Sequence, residues 1–200
     1  MLMTGNESKP YEKAVMTSKT FCRRDLNSLS GDERATLVGL MLPYLTDDLV
    51  AAHTSIVHFG EQTFIGHGDY VRKMEDYLAA AGAGRFVPLP EWNPANPIPK
   101  EFGVVGTDDS GAERPPLVNL NPGMPLPPQF RLPALCEFVS ADELGNEINP
   151  WHIHVHTTVG GTLGQFRIAS AAPIFWCFHA FISGVYQTWL SICQSEGSDT

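Results

Sequence analysis

A proline-rich stretch in the middle of the chain separates two halves with helical patterns. Between Gly82 and Pro133 the sequence is irregular and rich in proline, including Pro94, Pro97, Pro99, Pro115, Pro116, Pro122, Pro125, Pro127 and Pro128. Proline fixes φ and has no N–H to donate, so this stretch favours neither regular helices nor internal strands. It also contains large apolar anchors, namely Trp92, Phe102, Leu117, Leu120 and Phe130. We therefore expect an ordered, irregular loop that wraps the rest of the domain.

The first half of the chain predicts three helices. Ser30-Gly31-Asp32-Glu33 is a capping box, in which the serine and glutamate side chains satisfy free N–H groups at a helix start. Thr46 precedes two aspartates and opens a second helix, with His53 on its apolar face. A third helix is expected from about Gly68 to Ala81, and the apolar stripe of that helix includes His67.

The second half predicts further helical segments. A second capping box, Ser140-Ala141-Asp142-Glu143, starts a helix, which Asn149-Pro150 restarts with proline in a first turn. Gly160-Gly161 ends this segment, and Pro173 starts a last helix that reaches about Cys193. Residues 171–193 carry no formal charge, but their polar side chains favour a buried core helix over a membrane span.

These patterns predict one mainly α domain. We expect a four-helix bundle over residues 21–193, wrapped by the long proline-rich loop, with a flexible arm at 1–20 and a polar tail at 194–200. A chain of 200 residues can remove roughly 70% of its unfolded surface from water. A sizeable core is therefore possible.

The seven histidines form two groups that suggest metal binding. His152 and His156 are four residues apart, so a helix would project both imidazoles from one face, and His179 on a facing helix can supply a third nitrogen. The other helices and the turn between them would bring together a matching trio of His53, His58 and His67. Imidazole suits copper, zinc, iron and nickel, and no carboxylate stands at ligand spacing in either trio.

The same histidines allow an alternative. The run from His152 to Val159 is rich in β-branched residues and alternates with period 2, so a strand would place His152, His154 and His156 on one side. That arrangement is typical of a mononuclear metal site in a cupin-like β-barrel. Few other segments resemble strands, and Pro150 with the upstream capping box favours a helix.

Composition and cysteine spacing restrict partners and location. The net charge is −9 and the isoelectric point about 5.1, so the chain offers no basic face to nucleic acid. We expect neither a nucleic-acid nor a membrane partner. The four cysteines, Cys22, Cys136, Cys177 and Cys193, lack CxxC spacing and are expected to be buried free thiols. The N-terminus has no secretory pattern, which predicts a cytoplasmic protein.

The second half resembles the second copper motif of the tyrosinase family, the type-3 dinuclear copper proteins. The resemblance rests on Trp151-His152 to His156, then Val159-Gly160-Gly161, then Pro173-Ile174-Phe175-Trp176-Cys177-Phe178-His179-Ala180. It implies that His152, His156 and His179 bind the second copper. His154 has no role in that motif.

The first half is similar to the family's first copper motif, though more loosely. His58 precedes His67 by nine residues, Phe64-Ile65 lies just ahead of His67, and His53 would be the third ligand. Two further segments resemble bacterial members: Arg23-Arg24-Asp25-Leu26 through Glu33, and Pro90-Glu91-Trp92-Asn93-Pro94 to Pro97-Ile98-Pro99. The resemblance as a whole covers roughly residues 22–190.

The resemblance implies two copper ions that activate dioxygen against phenolic substrates. In members that hydroxylate monophenols, it implies a glutamate before the first histidine of the second copper and an asparagine directly after that histidine. Glu143 or Glu147 can be that glutamate, and Glu143 is the predicted catalytic residue, although it also fits a helix cap. Ile153 occupies the asparagine position, so we expect oxidation of o-diphenols or o-aminophenols to quinones, with weak or no monophenol hydroxylation.

Three positions depart from the family pattern. The family usually has Arg where Gly68 stands, Asp where Ala172 stands, and Asp where Ser183 stands. Loss of both signs of charge together is expected if a buried network was removed as a whole, because partial removal would leave an unpaired charge. A copper- or oxygen-binding protein without turnover therefore remains an alternative to the enzyme.

Overall fold

A computed structural model describes residues 22–194, and this part of the chain is mainly helical. It contains five α-helices: α1 (Gly31–Met41), α2 (Asp47–Ala52), α3 (Gln62–Ala80), α4 (Ala141–Val159) and α5 (Pro173–Thr188). The described residues form two isolated β-bridges and no longer strand. The prediction of a mainly α protein is confirmed. The predicted arm at 1–20 lies outside the described residues, as does the predicted tail apart from Gln194.

The first two helices begin where the sequence predicts. Ser30 accepts a hydrogen bond from the Glu33 backbone N–H and its own N–H donates to the Glu33 carboxylate, which completes the capping box of α1. Thr46 caps α2 in the same way. Helix α2 has six residues, and a 3₁₀ turn, His53–Ser55, follows it, so His53 lies just beyond the helix that was expected to include it.

Helix α3 begins six residues earlier than the sequence predicts. We expected it to start near Gly68, whereas it starts at Gln62 and places His67 inside the helix. Gly66 directly precedes His67, and the packing around it leaves no room for a side chain. A Cβ at Gly66 would lie 2.6 Å from Cγ2 of Ile56. Tertiary contact therefore outweighs the weak helix propensity of glycine here.

Helix α4 is continuous, so the predicted restart at Asn149-Pro150 is wrong. Pro150 lies inside the helix and is exposed. The second capping box is only half formed, because Ser140 accepts from the Glu143 N–H while the Glu143 carboxylate accepts from Val139 instead of Ser140. The strand alternative for residues 152–159 is also wrong. The helix separates His154, which is exposed, from the buried His152.

Helix α5 explains the stretch without formal charge. Its side chains from Pro173 to Ala180 are buried, and a π-helical segment, Trp189–Cys193, continues the helix to the predicted end. Among the described residues, no single helix is both long and apolar enough to span a membrane. The segments Gly31–Tyr44 and Asp47–Ser55 reach that length and apolarity only together, and they are bent by 86° relative to each other.

The proline-rich loop packs onto the helices. Short 3₁₀ turns interrupt it, and Trp92, Phe102 and Phe130 are buried as predicted. The other expected anchors pack less fully: Leu117 is partly buried, and Leu120 is 39% exposed. A hydrogen bond from the backbone N–H of Trp92 to the backbone carbonyl of Cys177 connects the loop to α5.

Three of the four cysteines depart from prediction. Cys136 and Cys193 form a disulfide instead of being free, and the free Cys22 is exposed. Only Cys177 is the expected buried thiol. The cysteines are 57 residues apart, so the sequence gave no sign of the disulfide. The fold brings the turn before α4, which contains Cys136, to the π-helical segment after α5, which contains Cys193. The cytoplasmic location stays a prediction.

Candidate metal centre

Six of the seven histidines converge where α3, α4 and α5 meet. His67 projects from α3, His152 and His156 from α4, and His179 from α5. The remaining two, His53 and His58, come from the segment between α2 and α3. The rings of His67 and His179 stack with centroids 4.2 Å apart, which joins the two predicted trios into one cluster. The exposed His154 lies outside it.

Every imidazole in this cluster has its Nδ1 bonded to an oxygen. Five of the acceptors are backbone carbonyls and one is an amide oxygen. The pairs are His53 with Phe166 O (3.1 Å), His58 with Ile56 O (2.7 Å), His67 with Thr63 O (2.7 Å), His152 with Asn149 Oδ1 (3.2 Å), His156 with Leu163 O (2.9 Å) and His179 with Phe175 O (2.8 Å). A carbonyl can only accept, so Nδ1 must carry the proton. Each neutral ring is left with a lone pair on Nε2.

The Nε2 atoms lie very close together. They are separated by 3.3 Å between His53 and His67, 3.0 Å between His152 and His179, and 3.0 Å between His152 and His156. Two unprotonated nitrogens cannot hydrogen-bond to each other. Their close approach in a buried place is unfavourable unless a cation lies between them.

Burial keeps these rings neutral. It lowers the pKa of His53 and His156 to about 4, and it lowers the pKa of His58 as well. Burial also lowers the pKa of the other three, His67, His152 and His179, and their neighbouring imidazoles add to that effect. Neutral imidazole is the form that binds a metal ion, so the cluster needs little proton release before it binds one.

Two groups of histidines can hold a metal ion. The nitrogens of His53, His58 and His67 lie within 4.8 Å of one another, and so do those of His67, His152 and His179. His156 joins the second group through its contact with His152. An all-imidazole donor set with fixed tautomers fits copper or zinc better than calcium or magnesium, which prefer oxygen ligands.

A polar stripe on α4 holds the loop that carries His58, and the sequence analysis missed it. The side chains of Asp142 and Asn146 accept hydrogen bonds from the backbone N–H groups of Glu61 and Gly60, both at 2.9 Å. Asn149 donates to the His58 carbonyl at 2.9 Å. These three residues have i, i+4, i+7 spacing on one helix face, a signal that was present in the sequence.

Gly145 lets this loop approach α4 closely. A Cβ at Gly145 would lie 2.0 Å from the Gly60 carbonyl oxygen. Gly60 itself has φ of +54°, a conformation that favours glycine. The two glycines therefore fix the path of the chain that turns His58 toward the other imidazoles.

A cavity of about 400 Å³ opens onto the cluster, and we call it the histidine cavity. Four of the imidazoles contribute to its wall, together with apolar side chains, two small residues and one threonine. The lining residues are His53, Ile56, Val57, His58, Phe59, His152, Ile153, His156, Thr157, Leu163, Gly164, Phe166 and Ala169. The volume lies within the range of roughly 300–1,000 Å³ that is usual for small-molecule sites.

The family comparison agrees with this geometry. Residues 130–192 match the family model for the common central domain of tyrosinase. The match supports membership of the tyrosinase family. It covers α4 and α5, which carry His152, His156 and His179, whereas the first trio lies outside the matched region. A comparison with curated proteins gives no match. Similarity to the tyrosinase central domain indicates a copper oxidase, and the histidine clusters can hold a metal ion.

Glu143, the predicted tyrosinase-like catalytic residue, lies at the N-terminus of α4. Its carboxylate accepts a hydrogen bond from the Val139 N–H at 2.9 Å, and it is not among the residues that line the histidine cavity. The alternative, Glu147, is exposed and does not line the cavity either. The geometry thus favours the capping role for Glu143, and its catalytic role stays a prediction.

The three positions that depart from the tyrosinase pattern are close to the cluster in sequence, and two of them meet in space. A Cβ at Gly68 would lie 3.8 Å from Oγ of Ser183. Within the described residues, the Ser183 hydroxyl is buried and has no hydrogen-bond partner. Ala172 is fully buried at the start of α5. The facing Gly68 and Ser183 agree with loss of a charged pair as a unit.

Proposed function

We propose that this chain is a copper-dependent oxidase that converts o-diphenols or o-aminophenols to quinones. The observation that carries the proposal is the convergence of six imidazoles, each of which has its Nδ1 already bonded to an oxygen. The Nε2 atoms of five of them lie within 3.3 Å of another Nε2. We assign His53, His58 and His67 to one copper ion and His152, His156 and His179 to a second. Bound copper would supply the redox chemistry, namely dioxygen activation and acceptance of electrons from the substrate.

The protein's own residues would position the rings and shape the substrate site. The carbonyls of residues such as Phe166 and Leu163 accept hydrogen bonds from the Nδ1–H groups. The protons therefore stay on Nδ1, and the Nε2 atoms remain free to bind copper. The histidine cavity would take the aromatic ring of the substrate and exclude water around it. In the overall reaction, two o-diphenols lose four electrons and four protons, and one dioxygen becomes two waters.

Oxidation of diphenols is favoured over hydroxylation of monophenols. A monophenol must lose its proton before hydroxylation, and no carboxylate is found among the described residues that line the cavity. Ile153 lies directly after His152 and lines the cavity, where the monophenol-hydroxylating members are expected to carry asparagine. Among the described residues that line the cavity, no carboxylate or amide side chain is present to hold a deprotonating water.

The proposal is tested with copper-loaded protein. Equal concentrations of 4-methylcatechol and 4-methylphenol are supplied under oxygen, and quinone is measured by its absorbance while oxygen uptake is followed with an electrode. We expect quinone from the catechol with little or none from the phenol. Copper binding without quinone from either compound would contradict the enzyme and favour a copper- or oxygen-binding protein without turnover.

A further inference from the structure

Charge is absent from the wall of the histidine cavity. Among the described residues that line it, none is Asp, Glu, Lys or Arg. The only polar side chains are the imidazoles and Thr157, whose hydroxyl already donates to backbone carbonyls of α4. A ligand therefore meets polar atoms at the histidines and carbon atoms elsewhere.

The mouth of the cavity is an exposed apolar rim. It consists of four lining residues whose side chains are largely in solvent: Val57 (52% exposed), Phe59 (73%), Ile153 (49%) and Phe166 (53%). They come from three separate parts of the chain, namely the segment before α3, α4, and the segment after α4. Clustered exposed apolar residues around a pocket are a sign of ligand contact.

The rim is also tied to the histidines. The backbone carbonyl of Phe166 accepts a hydrogen bond from Nδ1 of His53. The ring centroid of Phe166 lies 5.1 Å from that of His58. Ile153 is adjacent to His152, and Phe59 is adjacent to His58. A substrate whose hydroxyls point to the imidazoles would thus place its para substituent among these apolar side chains.

We propose that the histidine cavity selects uncharged o-diphenols with an apolar substituent and discriminates against those with an ammonium or carboxylate group. This inference rests on the proposed function. A charged substituent in the rim would lose part of its hydration without gaining a counter-ion, whereas an alkyl group would remove apolar surface from water. Selectivity therefore comes from the penalty on charge as well as from the alkyl contact.

Three catechols of similar length test the selectivity. They are 4-ethylcatechol (neutral), dopamine (cationic) and 3,4-dihydroxyphenylacetate (anionic), and kcat/KM is measured for each with copper-loaded protein. We expect the neutral compound to exceed both charged ones by about tenfold or more, which corresponds to roughly 1.4 kcal/mol. Because the protein is acidic overall, a long-range field alone would favour dopamine. Dopamine equal to or better than 4-ethylcatechol would overturn the proposal.

A binding experiment separates this proposal from the proposed function. Copper-free protein cannot oxidise, so 4-ethylphenol, tyramine and 4-hydroxyphenylacetate are compared by saturation-transfer NMR. We expect a signal from 4-ethylphenol and a much weaker one from the other two. If 4-ethylphenol alone gives a strong signal but copper-loaded protein oxidises no catechol, the proposed oxidase function is contradicted and the selectivity of the cavity stands. Equal signals from all three compounds would overturn the selectivity.

A rim variant supplies a matched test. Ile153→Lys places a cation at the rim on an already exposed helix position, and Val118→Lys makes the same change at a residue that is 78% exposed and does not line the cavity. We expect I153K to raise the ratio of kcat/KM for 3,4-dihydroxyphenylacetate over 4-ethylcatechol by about tenfold, as a new charge pair of this kind can provide. V118K should leave the ratio unchanged at equal copper content. If the ratio in I153K is unchanged, the substrate's substituent does not lie at the rim.

Discussion

The side chain of Asn149 accepts a hydrogen bond from Nδ1 of His152 at 3.2 Å. Its amide nitrogen also donates to the His58 carbonyl at 2.9 Å, so one residue of α4 holds a histidine from each predicted trio. Pro150 follows it directly and lies within the same helix. Asn149 thus couples the orientation of the two halves of the site.

Replacement of Asn149 should weaken copper binding. Asn149→Leu removes both hydrogen bonds, and loss of such an outer contact typically lowers metal affinity by about 10- to 100-fold. Affinity is measured by competition with a chelator. Asn149→Asp keeps the acceptor for His152 and loses the donor to His58, so it should fall between N149L and the wild type. Equal affinity in N149L and wild type would contradict the positioning role.

Single histidine variants should distinguish two half-sites. His179→Ala removes a ligand from the second trio, and we expect bound copper to fall from about two ions per chain to about one, because the first trio is intact. His67→Ala tests more strictly whether the two copper ions bind independently, because the ring of His67 contacts that of His179 in the other trio. We expect it, too, to leave about one copper ion per chain. Copper is counted by atomic absorption after dialysis. His154→Ala is the control, since His154 is exposed and outside the cluster.

The copper-free protein should lose stability in mild acid. Burial lowers the pKa of His53 and His156 to about 4 in the folded state, while the unfolded chain titrates near 6.5. Between these values the unfolded state binds more protons, so the free energy of unfolding falls as the pH drops from 6.5 toward 4.

Denaturant unfolding at pH 7.5, 6 and 5 measures this dependence. His156→Gln should make the decrease with falling pH shallower, because one depressed group is removed, while His154→Gln should leave it unchanged. A slope that is the same in H156Q and wild type would show that the buried imidazole is not its source.

The disulfide should stabilise the domain by a few kcal/mol. Cys136 and Cys193 are 57 residues apart, and closure of a loop of that length in the unfolded chain corresponds to about 4 kcal/mol at 25 °C. The C136S/C193S variant should therefore unfold at lower denaturant concentration. Cys177→Ser serves as a contrast, since it changes a buried thiol without opening a loop. An unchanged unfolding midpoint in C136S/C193S would contradict the disulfide.

A charged pair should be tolerated at Gly68 and Ser183 only when both partners are present. Gly68→Arg alone places a cation beside the partly buried Ser183, and Ser183→Asp alone buries part of an anion. The double variant pairs them, so we expect a favourable coupling energy of about 1–3 kcal/mol in a double-mutant cycle of unfolding. Additive effects would indicate that these positions no longer fit the charged pair of the tyrosinase family.

The sequence by itself determined several points at which helices begin and end. The Ser30 and Thr46 caps, the stop at Gly160 and the start at Pro173 depend on contacts within a few residues, and each is found where the pattern predicts. Helix geometry alone likewise places His152 and His156, which are four residues apart, on the same face of α4. The six candidate ligands could therefore be named before the fold was known.

Only the tertiary structure decided how those residues meet. The early start of α3 and the uninterrupted course of α4 through Pro150 depend on packing, which overrides the local preferences of glycine and proline. The carbonyls that hold each Nδ1 come from positions as distant as Phe166 for His53. Partners this far apart in sequence leave no periodic signal, so neither the tautomers nor the apolar rim could be read from the chain.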